Sequence, residues 1–488
     1  MRKFLYGASV QGIQGFIFQT NELKHIIGAS EIVERVCTTY FTEEFKQGGE
    51  MIVEAAGNVK CLYIDKEECE RTVKYFPKTI LEHAPGITIS QAVVSFDDDD
   101  FGKAVEKLER RLRSQRNRPM PSLTTGLMAI ERSRKTGLPS VKIEEGDFID
   151  ESTLLKIKAS KEYTEEGDRN ATFKLCKKSF GENVKELDFK NVAFDIEDLT
   201  KSNEWIAIIH ADGNGLGEIV ARIGKEQGAL HKFSTALDDA VKRASQQTFK
   251  ELNKDYELVD GKKKIPLRPV VLSGDDMTII CRGDLAIPYA KWFMHYFEEE
   301  TEKMGHKLTA CAGIAYIKSS YPFYYGYNLA EALCGIAKKD AKRKEHLVDG
   351  LAPSCLAFHK VQSSFVEDYD EILAKEKTPQ DGHSLEFGPY YLHEMEGRWT
   401  IDGLQQQAGK LKGKEGNATK SSLRQWITIL HDGVEQAEQR KERLLTIVPK
   451  SLETLVKIAL RGEEREDKKY YPVQDILTLH TINTQQTK

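Results

Sequence analysis

The chain has 488 residues, 40% of them hydrophobic and 30% charged, with 71 Lys+Arg against 76 Asp+Glu and a net charge of −5. At roughly 100–200 residues per domain this length suggests about three domains, with enough apolar residues to bury real cores. The charge balance excludes attraction to nucleic acid through global positive charge, and no apolar run approaches the ~20 residues of a membrane span.

The start, MRKFLYGASVQG, turns polar too soon for a signal peptide. Eight cysteines (Cys37, Cys61, Cys69, Cys176, Cys281, Cys311, Cys334 and Cys355) are scattered without a CxxC pair. That spacing argues against a zinc ribbon or a disulfide framework and predicts a soluble protein of the reducing cytoplasm.

In chain order, residues 1–116 read as an α/β unit. A strand is predicted at Phe4–Ala8, helical stretches over about 20–47, paired strands within Ile52–Ile64, a strand at Ile87–Phe96 and a closing helix at Phe101–Arg116. Residues 117–200 are polar and lysine-rich and predict a connector or insertion. The pattern sharpens from 201 onward. Trp205–His210 (WIAIIH) is a buried strand running into the glycine-rich turn Ala211-Asp212-Gly213-Asn214-Gly215-Leu216-Gly217. Two helical stretches follow, at about 216–226 and 231–253. Arg268–Cys281 (RPVVLSGDDMTIIC) places Ser273-Gly274-Asp275-Asp276 between two β-rich arms, the signature of a hairpin. A helix at 288–304, a strand at Leu308–Ile317 and a helix at Asn328–Lys344 complete the unit. The order, βααββαβ-like or βααββα, is that of a ferredoxin-like palm, an antiparallel sheet with helices on one face.

Laid over residues 1–116, the same order recurs. Gly12-Ile13-Gln14 takes the place of Gly215-Leu216-Gly217, Ser9 that of Asp212, and Asn58 and Val59 those of Asp275 and Asp276. Residues 350–488 lack strand alternation and predict helices, with Glu463–Lys469 as a solvated loop. The predicted fold class is therefore α+β. Two ferredoxin-like palms span 1–116 and 201–349, a connector spans 117–200, and an α-helical C-terminal domain spans 350–488.

The chemistry concentrates in the second palm. The first strand and the hairpin are sheet neighbours, so Asp212, Asp275 and Asp276 converge at one edge. Like charges that close repel, and a divalent cation is the usual relief. Mg²⁺ (or Mn²⁺) favours a few carboxylates plus substrate phosphates, which suits a nucleoside triphosphate. Gly213, Asn214 and Gly215 beside Asp212, with Ser273 and Gly274 in the hairpin, would bring backbone N–H groups to the phosphates. Lys338 and Lys342, four residues apart, share a helix face and could grip the triphosphate tail, or simply complement the helix dipole. Tyr321–Tyr327 (YPFYYGY) reads as a packed aromatic loop, with base stacking as the alternative. Lys107–Arg118 is the densest positive stretch, either a solvated helix face or a contact for RNA or a partner.

Taken together, these motifs resemble the large polymerase/cyclase subunit of type III CRISPR effector complexes, whose palms are similar to those of GGDEF cyclases. The family hairpin is normally G-G-D-D, and here it is Ser273-Gly274-Asp275-Asp276. LTACAGIAYI with the helix ending AKKDAKR looks like the corresponding strand and phosphate-binding helix, and ASVQGIQGFIFQTNELKHIIGAS looks like the opening of the degenerate first palm. The resemblance implies Mg²⁺- or Mn²⁺-dependent joining of ATP through 3′–5′ links into a cyclic oligonucleotide second messenger of antiviral defence. Asp212, Asp275 and Asp276 carry over as metal ligands. ATP would be the substrate, RNA or proteins of a defence complex the partners, and a dimer a candidate assembly, with no membrane involved. The family's N-terminal HD nuclease domain and zinc-binding cysteines have no counterpart here, which implies a stand-alone or trimmed relative. Two alternatives remain open: a non-catalytic nucleotide- or RNA-binding scaffold, and a diguanylate-cyclase-like enzyme using GTP.

Overall fold

The computed structural model describes all residues except 1, 56, 98–100, 119–127, 145, 162–170, 182–190, 194, 201–203, 224–227, 257, 259–263, 364–367 and 486–488. The first palm comprises β1 (Lys3–Gln11), α1 (Ile13–Ile17), α2 (Leu23–Cys37), α3 (Thr39–Phe45), β2 (Gly49–Ala55), β3 (Asn58–Tyr63), α4 (Lys66–His83), β4 (Thr88–Phe96) and α5 (Phe101–Arg116). Between the palms lie the hairpin of β5 (Ser140–Glu144) and β6 (Asp147–Asp150), then α6 (Glu151–Lys161) and α7 (Ala171–Phe180). The second palm comprises β7 (Trp205–Asn214), α8 (Leu216–Ile223), α9 (Ala229–Tyr256), β8 (Leu267–Ser273), β9 (Asp276–Arg282), α10 (Ala286–Lys303), β10 (Thr309–Lys318), α11 (Phe323–Ala341) and β11 (Cys355–Lys360).

The two sheets share one topology. The first is ordered β2-β3-β1-β4, and the second contains β8-β9-β7-β10 in the same sense. Both are the antiparallel ferredoxin-like arrangement, so the predicted pair of palms is present.

Several element predictions need correction. Residues 355–360, expected to open a helical region, form β11, which pairs parallel with β10 and extends the second palm's sheet. Beyond it the chain is mainly helical, with helices Ile401–Gly409, Lys414–Asp432, Val434–Ile447, Lys450–Arg461 and Val473–Gln485. Glu463–Lys469, expected as a loop, folds largely into a small hairpin of Glu463–Arg465 and Lys468–Tyr470. The aromatic run Tyr321–Tyr327 is not a loop either: it enters α11, burying Phe323 and Tyr327 and leaving Tyr324 and Tyr325 exposed. The eight cysteines are all free and buried. Among the described residues no helix is long and apolar enough to cross a membrane.

The unbroken apolar run of β7 has a simple cause: the strand is buried on both faces. Ala207, Ile209 and Ala211 enter the core shared with α9 and α10. Ile206 and Ile208 enter the opposite core, shared with α11 and the first palm. Strand alternation then places His210, Asp212 and Asn214 on the α11 side. The helix crosses the sheet at Gly313 of β10, where an added Cβ would lie 1.9 Å from the Ala330 carbonyl oxygen and 2.4 Å from the Cys334 nitrogen. Only a residue without a side chain lets α11 lie this close.

The region between the palms is docked in a similar way. A Cβ on Gly28 would lie 1.8 Å from the carbonyl oxygen of Lys156, so α6 packs backbone to backbone on α2. The Lys156 ammonium is buried, donates to the Phe16 carbonyl and the Gln19 side chain at 2.8 Å each, and sits over the Phe16 ring.

Two predictions follow from this packing. Gly313→Ala must push α11 off the sheet, and a loss of roughly 1–3 kcal/mol or more in denaturant unfolding is expected. Burial lowers the Lys156 ammonium from 10.5 to about 8, with the charge of Asp150 opposing the shift. The folded state therefore resists carrying this charge. The cost is fully present below pH 8 and vanishes above the unfolded value, so stability should rise between pH 8 and 10.5. The rise amounts to at most about 3 kcal/mol. Lys156→Met should abolish that increment when urea unfolding is followed against pH; a variant retaining the full rise would exclude Lys156 as its source.

Candidate active site

The β7–β9 ladder sets Asp212 directly opposite Asp276. The hairpin turn between β8 and β9 uses Gly274 at φ +61°, a left-handed conformation that favours glycine. That turn carries Asp275 over Gly213, whose added Cβ would lie 2.8 Å from the Asp275 Cβ. Gly213 is thus the floor that lets the third carboxylate in. One carboxylate oxygen from each of Asp212, Asp275 and Asp276 can lie within 4.8 Å of the others. Crowding has the expected electrostatic result. Desolvation, followed by the charge of Asp212, raises Asp275 above the ordinary carboxylate range. Desolvation, followed by the charges of Asp275 and Asp212, raises Asp276, although its side chain opens to solvent.

Such a set of hard oxygen donors fits Mg²⁺ or Mn²⁺ better than any soft-metal alternative. Asp212, Asp275 and Asp276 would hold the ion. Lys338 supplies one positive charge to the group in the structure. Its ammonium donates to Asp212 Oδ2 and, at 2.9 Å, to the Gly213 carbonyl. Burial disfavours the lysine's charge, but Asp212 outweighs it and holds the ammonium above its usual range.

The other predicted residues divide. Gly215 adopts φ +84°, and its carbonyl accepts from the Glu218 and Ile219 N–H groups, so it starts α8 immediately beside the carboxylates. Ser273 pairs with Asp276 in the hairpin ladder, and its side chain lies outside the described set. The Asn214 side chain is packed into the interior. Its amide donates to Thr309 Oγ1 at 3.1 Å and Cys311 Sγ at 3.2 Å. Lys342 is exposed at the C-terminal cap of α11, and among the described residues no hydrogen bond or ion pair joins its side chain to the carboxylates. The helix ends at Ala341, so Lys342 is its cap rather than a member of the helical face that carries Lys338.

Residues 205–348 match the sequence profile of the Cas10/Cmr2 second palm domain. This segment is similar to a palm of the Cas10/Cmr2 type. The whole chain is also similar in fold to solved Csm1 chains. One is the Csm1-Csm4 cassette in complex with cA4, with TM-score 0.63 and 14% identity over 99% of this chain and 70% of that one. Another is the cassette in complex with AMPPNP, with TM-score 0.58, 14% identity and the same coverages. A third is the Csm1-Csm4 subcomplex in the type III-A CRISPR-Csm interference complex, with TM-score 0.56 at 14% identity, again over 99% and 70%. No curated protein matches the chain by sequence.

Sequence reasoning missed several groups around the Cas10/Cmr2-type palm. A slot of about 100 Å³ between the palms touches Asp276 and is lined by Gln14 and Phe18 from the first palm and His210, Thr278 and Tyr327 from the second. Phe18 stacks on Tyr327 at 4.4 Å, and His210 meets the edge of Tyr327 at 5.4 Å. Burial lowers His210 to about 4, against the pull of Asp212, so its imidazole is neutral near pH 7 and bonds Thr278 at 3.2 Å. Glu331 on α11 was also overlooked. The available signal was helical spacing: Tyr327, Glu331, Cys334 and Lys338 recur at intervals of 4, 3 and 4 along one face.

The repeat alignment is off by one at the hairpin. The β1–β3 register pairs Ser9 with Asn58 as β7–β9 pairs Asp212 with Asp276. Asn58 therefore stands in the place of Asp276, and Gly57 in that of Asp275. A cation nevertheless persists. Arg116 is the last of the 16 residues of α5, Lys338 holds the same place counted from Phe323 in α11, and Arg116 donates to Ser9 Oγ at 2.8 Å.

Neutralising one crowded carboxylate should relieve repulsion and remove a metal ligand together. Without metal, Asp275→Asn is expected to be more stable than the parent by about 0.5 kcal/mol. Saturating Mg²⁺ or Mn²⁺ should stabilise the parent by about 2.7 kcal/mol at a hundredfold excess over Kd and leave Asp275→Asn unmoved, read by thermal unfolding. Equal metal-induced shifts in the two proteins would refute metal binding at this cluster.

Proposed function

We propose that the protein is a Mg²⁺- or Mn²⁺-dependent nucleotidyltransferase that joins ATP into a cyclic oligoadenylate signal of CRISPR-type defence. The observation that carries this reading is the convergence of Asp212, Asp275 and Asp276 at the hairpin of a Cas10/Cmr2-type palm. The Csm1 chains of like fold are described in complex with cA4, pppApA and AMPPNP, which supports adenine nucleotides over GTP. They are also solved with Csm4, so a protein partner of that kind, within an interference complex, fits this chain too.

When bound, the metal would supply charge neutralisation of the triphosphate and activation of a ribose hydroxyl. The chain's own residues would do the rest. Asp212, Asp275 and Asp276 fix where that charge sits. The backbone around Gly213 and Gly215, at the start of α8, presents N–H groups to phosphate oxygens. Lys338 is tied to Asp212 in the resting site and would turn to the triphosphate once cation charge replaces its own. The first palm would hold the second nucleotide. Arg116, which donates to the neutral Ser9 hydroxyl, suits a triphosphate that is gripped but not cleaved, because Ser9 and Asn58 carry no charge for a metal.

The test is incubation of the purified chain, alone and with its Csm4-like partner, with ATP or GTP and Mg²⁺ or Mn²⁺, the products being read by mass spectrometry. Cyclic or linear oligoadenylates are expected, and Asp276→Asn should lower their formation by at least about 100-fold. Tight ATP binding without product, with Asp276→Asn equal to the parent, would leave a nucleotide-holding scaffold instead.

A further inference from the structure

The three clustered aspartates would all be committed to the metal, yet a fourth carboxylate, Glu331, lies close enough to interact electrostatically with Asp212 and Asp276. Glu331 lies on the stripe of α11 formed by Tyr327, Glu331, Cys334 and Lys338. The other three members are fixed by contacts. Tyr327 is buried against Phe18, the Cys334 thiol donates to the Cys311 carbonyl at 3.2 Å, and Lys338 is bonded to Asp212. Glu331 is the exposed member, and among the described residues no hydrogen bond or ion pair engages it. It stands outside the group of carboxylates that can share one ion.

Its position along the helix is informative. Lys338, two turns on, reaches the carboxylate cluster through Asp212, and Tyr327, one turn back, lines the slot between the palms. Glu331 therefore sits where the sugar of a nucleotide would pass between that slot and the carboxylates. A base held in the slot is a sugar's length from the reacting phosphorus, whereas the attacking hydroxyl must come within a few ångströms of the metal. Electrostatics agree with this placement: partial desolvation of the otherwise exposed side chain, and then the charge of Asp212, raise the Glu331 carboxyl, and Asp276 feels Glu331 in turn.

We infer that Glu331 accepts a hydrogen bond from the 3′-hydroxyl of the acceptor nucleotide and aims that oxygen at the α-phosphorus of the donor. The inference rests on the nucleotide-joining reading above and adds to it the group that recognises the nucleophile. In the reaction served, the ribose oxygen forms a bond to the α-phosphorus. The bond from that phosphorus to the bridging oxygen of the diphosphate breaks, and its electron pair leaves with the diphosphate. The hydroxyl proton passes to solvent. Glu331 is unchanged by the step, and its contribution is orientation.

The contact can be read by binding, without turnover. The probes are α,β-methylene-ATP, whose α–β link cannot be cleaved by this reaction, and its 3′-deoxy analogue, both titrated calorimetrically with Mg²⁺ present. The parent protein should prefer the hydroxyl-bearing analogue by about tenfold or more, the worth of a hydrogen bond to a charged acceptor. Glu331→Ala should bind both analogues alike, and Glu331→Gln, which keeps an acceptor oxygen, should retain part of the preference. The side chain is exposed, so both variants should unfold at the parent's midpoint. An unchanged preference in Glu331→Ala overturns the inference, as does a parent that binds the two analogues equally or binds neither. A preference that depends on Glu331 in a protein making no product would sink the joining reaction and leave the hydroxyl contact standing. Product formation with no such preference would do the reverse.

Discussion

Everything at the centre of this molecule follows from one electrostatic constraint. A β-ladder places Asp212 directly across from Asp276, and a hairpin turn brings Asp275 over the same spot. Facing like charges destabilise a sheet, and here there are three. The surroundings respond in ways that make sense only as accommodation of that charge. Lys338 is drawn onto Asp212 from the end of α11. Gly213 gives up a side chain so that Asp275 fits. The fold tolerates a local arrangement that a purely structural hairpin would avoid, and such local cost is expected where a site binds a cation.

For Lys338 to reach Asp212, α11 must lie close on the sheet, and Gly313 is what permits it. The far end of the helix is held as well. Asp340 accepts from Tyr391 at 2.5 Å and from Arg398 at 2.9 Å, tying the helix to the chain beyond β11. At its start, the Asn21 side chain accepts from the Phe323 N–H at 2.8 Å, tying it to the first palm. The helix that carries Tyr327, Glu331 and Lys338 is thus fixed at both ends by other parts of the molecule. Positioning in this site depends on the whole assembly rather than on the second palm alone.

The two palms show what a shared topology keeps and what it leaves free. Strand order, the hairpin and a cationic residue at the same helical position are common to both. The carboxylates are not. With Ser9, Gly57 and Asn58 in their places, the first palm has no repulsion to relieve, and Arg116 bonds a neutral hydroxyl. A scaffold can keep its shape while losing its charges, because strand pairing and core packing do not depend on them.

Much of this was legible in the sequence because it is local. The βααββαβα order, the SGDD hairpin and the glycine-rich turn after β7 depend on periodicity and turn chemistry within short windows, and so does the convergence of three aspartates once the strands are neighbours. The sequence could not decide matters set by distant chain segments. Nothing near Asn214 says that its amide meets Thr309 and Cys311, and nothing near Cys355 says that its strand will add to β10, since parallel pairing joins residues far apart in sequence. The off-by-one at Asn58 arose because register is fixed by the partner strand, and a one-residue slip is invisible to alternation in a hairpin buried on both faces. The sequence determined which residues could carry charge and in what order the elements come. Tertiary packing, through the glycines that let α11 and α6 approach and the faces that bury β7 on both sides, decided which of those charges share a cleft.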